Sequence, residues 1–311
     1  MRIHIVTPPR KGNRVSARRW ARIFRDLGHD VAIGHEYREE RCDLMVALHA
    51  RRSHVSVRRF CNRYPDLPLI LAMTGTDLYN DIRTDPSAQQ SMEMASLLIV
   101  LQPRGIQELP GHLRHKGRVI YQSARRPPGN FPPKKSLFEV CVIGHIRSVK
   151  DPFRTARAAR LLPSSSRIQV VHVGAATSRE IVEGVSLEQA SNPRYCWLGE
   201  LPHWRALRVL TSSRLMALSS RMEGGANVVC EALACSVPVL SSRIPGSIGI
   251  LGEDYPGYFP TGDTRSLADL LQRAENDKEF YAALKARCEE LKPLVSPARE
   301  RQSWNNLLRT L

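Results

Sequence analysis

Short apolar runs recur at near-regular spacing along the first part of this chain: "RIHIVT" (2–7), "DVAIG" (30–34), "CDLMVALHA" (42–50), "PLILAMTGTD" (68–77), "MASLLIVLQ" (94–102) and "GRVIYQS" (117–123). Each has the length of a strand, and runs this continuously apolar suit strands covered on both faces. Between them, "VSARRWARIFRDLGH" (15–29) sets Ala17, Trp20, Phe24 and Leu27 at helical spacing, with Gly28 as its stop. "SVRRFCNRY" (56–64) reads as a second helix. Strands alternating with helices predict a parallel α/β sheet.

The pattern then breaks. "ARRPPGNFPPKKS" (124–136) holds four prolines and almost nothing apolar, the composition of a linker. Strands restart with "FEVCVIGHI" (138–146), "RIQVVHVG" (167–174), "RLMALSS" (214–220) and "VPVLSS" (237–242). Helices are expected over 151–162, 203–213 and twice within 266–291. The tail, 296–311, carries Trp304, Leu307, Leu308 and Leu311 on one helical stripe. The predicted architecture is therefore two Rossmann-like α/β domains, 1–123 and 137–296, joined by the proline-rich 124–136. In such folds the ligand lies at the carboxyl ends of the strands.

A length of 311 residues is enough for two cores of this kind. No stretch reaches the roughly 18 apolar residues of a membrane span, and "MRIHIVTPPRKGNR" turns polar too soon for a secretory signal. A soluble, cytoplasmic protein is expected. The seven cysteines are scattered and lack zinc spacing, which fits reduced, mostly buried thiols. The net charge of +16 favours anionic partners: nucleic acid, acidic membrane or phosphorylated small molecules. With 6% aromatic residues and no basic–aromatic module or zinc finger, a nucleic-acid partner is not expected. Lys11, Arg14, Arg18, Arg51 and Arg52 concentrate positive charge in the first domain, which suits an anionic ligand.

The chemistry concentrates in "MEGGANVVCEALACSVPVLSS" (222–242). A strand ends before it, and a helix starts near Ala226 or Asn227. Glu223-Gly224-Gly225 is then the turn between them. Glycines let the backbone approach a ligand and take unusual dihedrals. The first-turn amides of the helix favour an anion such as a diphosphate. Glu223 and Glu231 are too far apart to form a carboxylate dyad, and they suit two separate hydroxyl-bearing groups of one long ligand.

Glu, seven residues, Glu, then Ala-Leu-Ala-Cys-x-x-Pro-Val resembles the signature of retaining GT-B glycosyltransferases of family 4. The resemblance covers nearly the whole chain. It implies two Rossmann-like domains facing across a cleft, with a terminal helix (297–311) crossing back to the first domain. It implies a nucleotide-sugar donor held mainly by the second domain. Glu223 would contact hydroxyls of the donor sugar and Glu231 those of the ribose. Gly224, Gly225, Ala226 and Asn227 would lie by the sugar and phosphates. The family also carries a basic pair after the first strand of the second domain, usually Gly-Arg-Leu followed by a Lys. In "GHIRSVKDP" (144–152) His145 stands where that arginine often falls, and Arg147 and Lys150 are the candidate diphosphate ligands. Both are cations beyond a strand end, suited to neutralising leaving-group charge.

In the first half, "PPRKGNR" (8–14) reads as a glycine loop in which Gly12 and Asn13 would admit phosphates or acceptor. His49 ends a strand at the position of the family's active-site histidine. "TGTD" (74–77) resembles a second loop of that domain, where Thr76 and Asp77 would meet sugar or acceptor; Asp77 equally suits a helix cap. No aspartate triad of metal-binding spacing stands out, so neither metal nor cofactor is expected.

A narrower resemblance rests on "NRVSARRWARIFRDLGHDV", "CDLMVALHARRSH", "LPLILAMTGTDLYNDI" and "RVIYQS". These stretches are similar to the selenosugar synthases of selenoneine biosynthesis. That likeness implies transfer from a UDP-sugar, typically UDP-N-acetylglucosamine, to selenophosphate. The alternative is a family 4 enzyme with a saccharide or lipid acceptor.

Overall fold

The computed structural model describes every residue except Arg10, Thr76 and Thr177, and all side chains but those and Lys11. The expected contact at Thr76 therefore lies outside the described residues. The chain divides into two units, Met1–Gln122 with Pro297–Leu311, and Ser123–Ser296.

The first unit runs β1 (Arg2–Val6), α1 (Lys11–Asp26), β2 (Asp30–Gly34), β3 (Leu44–Leu48), α2 (His54–Arg63) and β4 (Leu69–Met73). A π-helical turn (Asp77–Asp81) leads into α3 (Ile82–Thr84), followed by α4 (Pro86–Met94), β5 (Leu97–Val100), α5 (Arg104–Glu108) and β6 (Gly117–Val119). The sheet order is β2-β1-β3-β4-β5-β6, all parallel. Every residue of β3 and β4 is buried, as the two-faced cover of a parallel sheet requires. Gly28 does end the first helical segment, with φ +86° in the left-handed region that only glycine enters without strain.

No residue from 120 to 137 lies in a helix or strand. The second unit then runs β7 (Phe138–Ile143), α6 (Arg154–Arg160), β8 (Ile168–Val173), α7 (Arg179–Ser191), β9 (Tyr195–Trp197), α8 (His203–Ser212) and β10 (Leu215–Leu218). It continues through α9 (Asn227–Cys235), β11 (Val239–Ser242), α10 (Pro245–Leu251), β12 (Tyr258–Phe259), α11 (Thr264–Asn276) and α12 (Lys278–Leu291). Its sheet order is β12-β11-β10-β7-β8-β9, again parallel. The last helix, α13 (Pro297–Leu308), belongs to the first unit. There Trp304, Leu307 and Leu308 join the core around α1, Ile3 and Ile5.

Two expectations need correction. The helix expected from Val15 begins at Lys11, so Gly12 sits in a first helical turn with open space around it rather than in a permissive loop. Lys11 and Arg14 are compatible with a helix, and a helix can begin before its apolar stripe does. Leu311 lies beyond α13 and is 42% exposed, because the helix ends at Leu308. All seven cysteines are free thiols, five of them buried. Among the described residues, no helix is long and apolar enough to cross a membrane.

Candidate active site

In the second sheet the chain builds outward from β7 to β8 and β9, then returns to add β10, β11 and β12 on the other side. The neighbours β7 and β10 therefore send their connections in opposite directions, and a crevice opens at their carboxyl ends. A small cavity lies there, lined by Gly144, His145, Lys150, His172, Ser219 and Ser220 among others.

Lys150 closes a 3₁₀ turn, Ser148–Lys150, that follows β7. The turn is stitched to the end of β10, because the Ser219 hydroxyl donates to the carbonyls of Lys150 (3.2 Å) and Asp151 (2.9 Å). Asp151 takes a left-handed conformation, φ +43°, and its carboxylate accepts from Arg154 Nε at 2.8 Å. So fixed, the Lys150 ammonium pairs with Glu223 Oε1, which also accepts the Ser220 hydroxyl at 2.6 Å. Among the described residues Glu223 Oε2 accepts no hydrogen bond. The Lys150 and Glu223 side chains keep 22% and 12% of their exposure, so both remain reachable. This places an ammonium, a carboxylate oxygen and a hydroxyl at one crevice.

Four residues on from Glu223, α9 begins at Asn227, and its preceding residue Ala226 supplies no side-chain cap. That end carries the partial positive charge of a helix N-terminus beside the ion pair. Neither Gly224 nor Gly225 has a positive φ, so the unusual dihedrals expected of them are not present. Glu231 lies a turn into α9, where Oε1 accepts from His203 Nε2 at 2.7 Å at the start of α8. The two glutamates thus have different partners. His145 lines the cavity, and its Nδ1 accepts from the Ala175 amide at 3.3 Å. Arg147, expected beside Lys150, does not line the cavity; it is exposed, and it forms no side-chain hydrogen bond or ion pair among the described residues. It precedes the tight turn on extended backbone and stays in solvent.

In the first unit the corresponding crevice lies between β1 and β3, where the strand order again reverses. His49 sits at the end of β3 with φ +79°, a conformation that costs a non-glycine residue free energy. It is 4% exposed, and its ring nitrogens lie 3.9 Å from Asp77 Oδ2 and 3.8 Å from Asp81 Oδ2. Burial lowers its pKa more than Asp77 raises it, so the ring is neutral near pH 7. Asp77 has no exposed surface, and its oxygens accept from the Ala50 amide (3.2 Å) and the Gly75 amide (2.9 Å). Through these bonds Asp77 braces the segments that follow β3 and β4. Arg51 is tied back to Asp81 at 3.4 Å. Asn13 accepts from the Thr74 hydroxyl at 2.8 Å. Arg14 and Arg18 are exposed.

The sequence profile of the family described as Glycosyl transferases group 1 matches residues 126–290, more than half of the chain. The chain belongs to this family. Among solved structures, this glycosyltransferase is similar to Anabaena Alr3699/HepE in complex with UDP, with a TM-score of 0.79 over all of both chains at 13% identity. It is also similar to sucrose-phosphate synthase tll1590 from Thermosynechococcus elongatus, with a TM-score of 0.80 over all of this chain and 98% of that one at 14% identity. The shared architecture is the GT-B fold. A third likeness, 29% identity over 115 residues, is to N-acetyl-alpha-D-glucosaminyl L-malate synthase of Bacillus anthracis. It takes in 37% of this chain and 29% of the length of that enzyme.

Two further residues brace this candidate site. A Cβ on Gly246, in α10, would lie 2.0 Å from the Glu223 carbonyl oxygen, so only glycine lets α10 seat the Glu223 turn. Gly246→Ala is expected to lower kcat about tenfold or more by displacing Glu223, with far-ultraviolet circular dichroism unchanged; unaltered kinetics would separate Glu223's position from turnover.

His172, 1% exposed, sits between the Tyr195 hydroxyl (2.9 Å from Nδ1) and the Gly144 carbonyl (3.3 Å from Nε2). A carbonyl only accepts, so Nε2 carries the proton and Nδ1 accepts from Tyr195. Burial pushes the His172 pKa down from 6.5 to about 4. Below pH 6.5 the unfolded chain therefore takes up a proton that the folded chain refuses. Stability from this group is complete above that pH and is lost as pH falls toward 4, by about 3 kcal/mol in all. Urea midpoints measured across this window should fall with pH in the parent protein and fall less steeply in His172→Gln.

Proposed function

We propose that this glycosyltransferase is a retaining family 4 enzyme that moves a sugar from a UDP-sugar, UDP-N-acetylglucosamine, to selenophosphate. The observation that carries the donor half is the Lys150–Glu223–Ser220 cluster beside the start of α9. The ammonium and the helix terminus suit the two negative phosphates of a nucleotide diphosphate. Glu223 Oε2 suits a sugar hydroxyl as donor, and Glu231, oriented by His203, suits the ribose. The UDP bound by the Anabaena protein and the glucosaminyl group in the name of the Bacillus enzyme support this choice of donor. L-malate, also in that name, is a small dianion, and so is selenophosphate. The stretches of the first unit that are similar to selenosugar synthases support selenium as the attacking atom.

In this reading the bond from the anomeric carbon to the β-phosphate oxygen breaks and UDP leaves with the electron pair. Lys150 and the α9 terminus stabilise the charge that develops on it. Selenium supplies the electron pair for the new carbon–selenium bond. A soft, strongly nucleophilic selenium places little demand on a general base, which agrees with a neutral, buried His49 acting by contact. The test is incubation with UDP-N-acetylglucosamine and fresh selenophosphate under reducing conditions, followed by mass spectrometry. A selenium-bearing sugar with stoichiometric UDP is the expected result. UDP release with some other acceptor but not selenophosphate overturns the acceptor, and failure to bind any UDP-sugar overturns the donor.

A further inference from the structure

The opposite end of the second sheet carries a cavity that the sugar-transfer chemistry does not use. It has a volume of about 220 Å³ and lies at the amino ends of the adjacent strands β10, β7 and β8. Phe138 opens β7, Arg167 precedes β8, and Arg214 precedes β10; Glu275 comes from the last turn of α11, and Lys278 and Tyr281 from the first turn of α12.

Its charges are unbalanced. Glu275 is the one acidic residue of the lining, and it is committed: its oxygens accept from the Ser166 hydroxyl (2.6 Å) and the Arg167 amide (2.7 Å), and its side chain is 4% exposed. Arg167 Nε lies 3.7 Å from it. Arg214 and Lys278 form no side-chain hydrogen bond or ion pair among the described residues. The lining is left with two net positive charges. Phe138 and Tyr281 pack edge to face, with ring centroids 5.9 Å apart, and supply an apolar wall. The Tyr281 hydroxyl, which donates to the Arg214 carbonyl at 2.8 Å, anchors the Arg214 backbone on that wall.

We infer that this cavity binds a small organic phosphate monoester. Such a group carries a charge near −2 at neutral pH and offers several acceptor oxygens, which matches the surplus of the lining and the donors of two unpaired cations. The apolar wall receives the organic part. The concave shape, closed by five separate elements, favours a discrete small molecule over a polyanion, which needs a continuous basic stripe. The donor crevice lies at the carboxyl ends of the same strands, so the two ligands bind without competing.

Phenyl phosphate is a suitable probe, since it combines the charge with a planar apolar group. It is titrated calorimetrically into the full chain saturated with UDP, at fixed ionic strength. Saturable binding is expected, weakened about tenfold or more in Arg214→Gln/Lys278→Gln, the loss typical of removing charge-assisted hydrogen bonds. Lys150→Ala should bind the probe as the parent does, and Arg214→Gln alone should show an intermediate loss if the double variant folds poorly. No saturable binding, equal binding in the double variant, or phenol binding as tightly as phenyl phosphate would each overturn the assignment.

Discussion

Lys150→Ala is expected to lower kcat for sugar transfer about a hundredfold while barely moving the melting temperature. The ammonium is held for a task other than stability. Its pair with Glu223 is partly exposed, and partly solvated pairs contribute little to folding. Its backbone is fixed independently, through Ser219 and Asp151, so the turn survives loss of the side chain. In the proposed reaction the variant loses a fixed positive charge beside the departing diphosphate, and removing one such preorganised donor typically costs 10²–10³ in rate. Glu223→Gln separates the two partners. It keeps the shape and the Ser220 contact but removes the charge that orients Lys150, and a loss of about tenfold or more in kcat is expected. Steady-state kinetics with a UDP-sugar, beside melting curves, checks both variants. Full activity in both would remove this crevice as the site of transfer.

The sheets were legible because their strands are short and continuously apolar. The run "LILAM" (69–73) is buried at every residue, and its five-residue length suits a covered strand better than a helix. Helix α7 was not legible, since only Val185 of its thirteen residues is buried and no stripe exists to be seen. Its one local sign is Ser178, whose side chain accepts from the Ile181 amide as an N-cap. Helix α10 was hidden by its proline and glycines, which usually mark turns, although Pro245 occupies the first turn where proline is tolerated.

The site divides in the same way. Glu223 and Lys150 stand in motifs readable along the chain. Ser220, His203, His172 and Gly246 do not, because each matters through a partner from a distant segment. His203 meets Glu231 across 28 residues, and a glycine that seats another loop resembles any other glycine in sequence. Asp81 had a weak signal, lying four residues after Asp77 on one helical turn. Arg147 differs from its neighbour Lys150: the backbone runs extended into the tight turn there, and the side chain is exposed.

Trp304→Ala is expected to destabilise the first unit by about 3–5 kcal/mol, the cost of truncating a large aromatic in a closed core. Trp304 has no exposed surface. Its ring stands edge to face with Trp20, at 5.0 Å between centroids, and with Phe24, at 4.9 Å. One turn earlier, the buried Glu300 accepts from Trp20 Nε1 at 2.8 Å and pairs with Arg19 Nε at 3.0 Å. These contacts join α13 to α1 across nearly the whole length of the chain, so the cavity left by alanine opens at the seam between them. The Trp304 indole N–H is itself buried and has no hydrogen-bond partner among the described residues. Trp304→Phe removes that donor while keeping much of the volume, and a loss under about 1.5 kcal/mol is expected. Urea titrations of the two variants supply the check. The order phenylalanine above alanine, with a wide gap, is what a packing role requires; equal losses would contradict that role, since the unpaired indole nitrogen makes no bond to lose, and a negligible loss in both would mean that α13 adds little to the unit it joins.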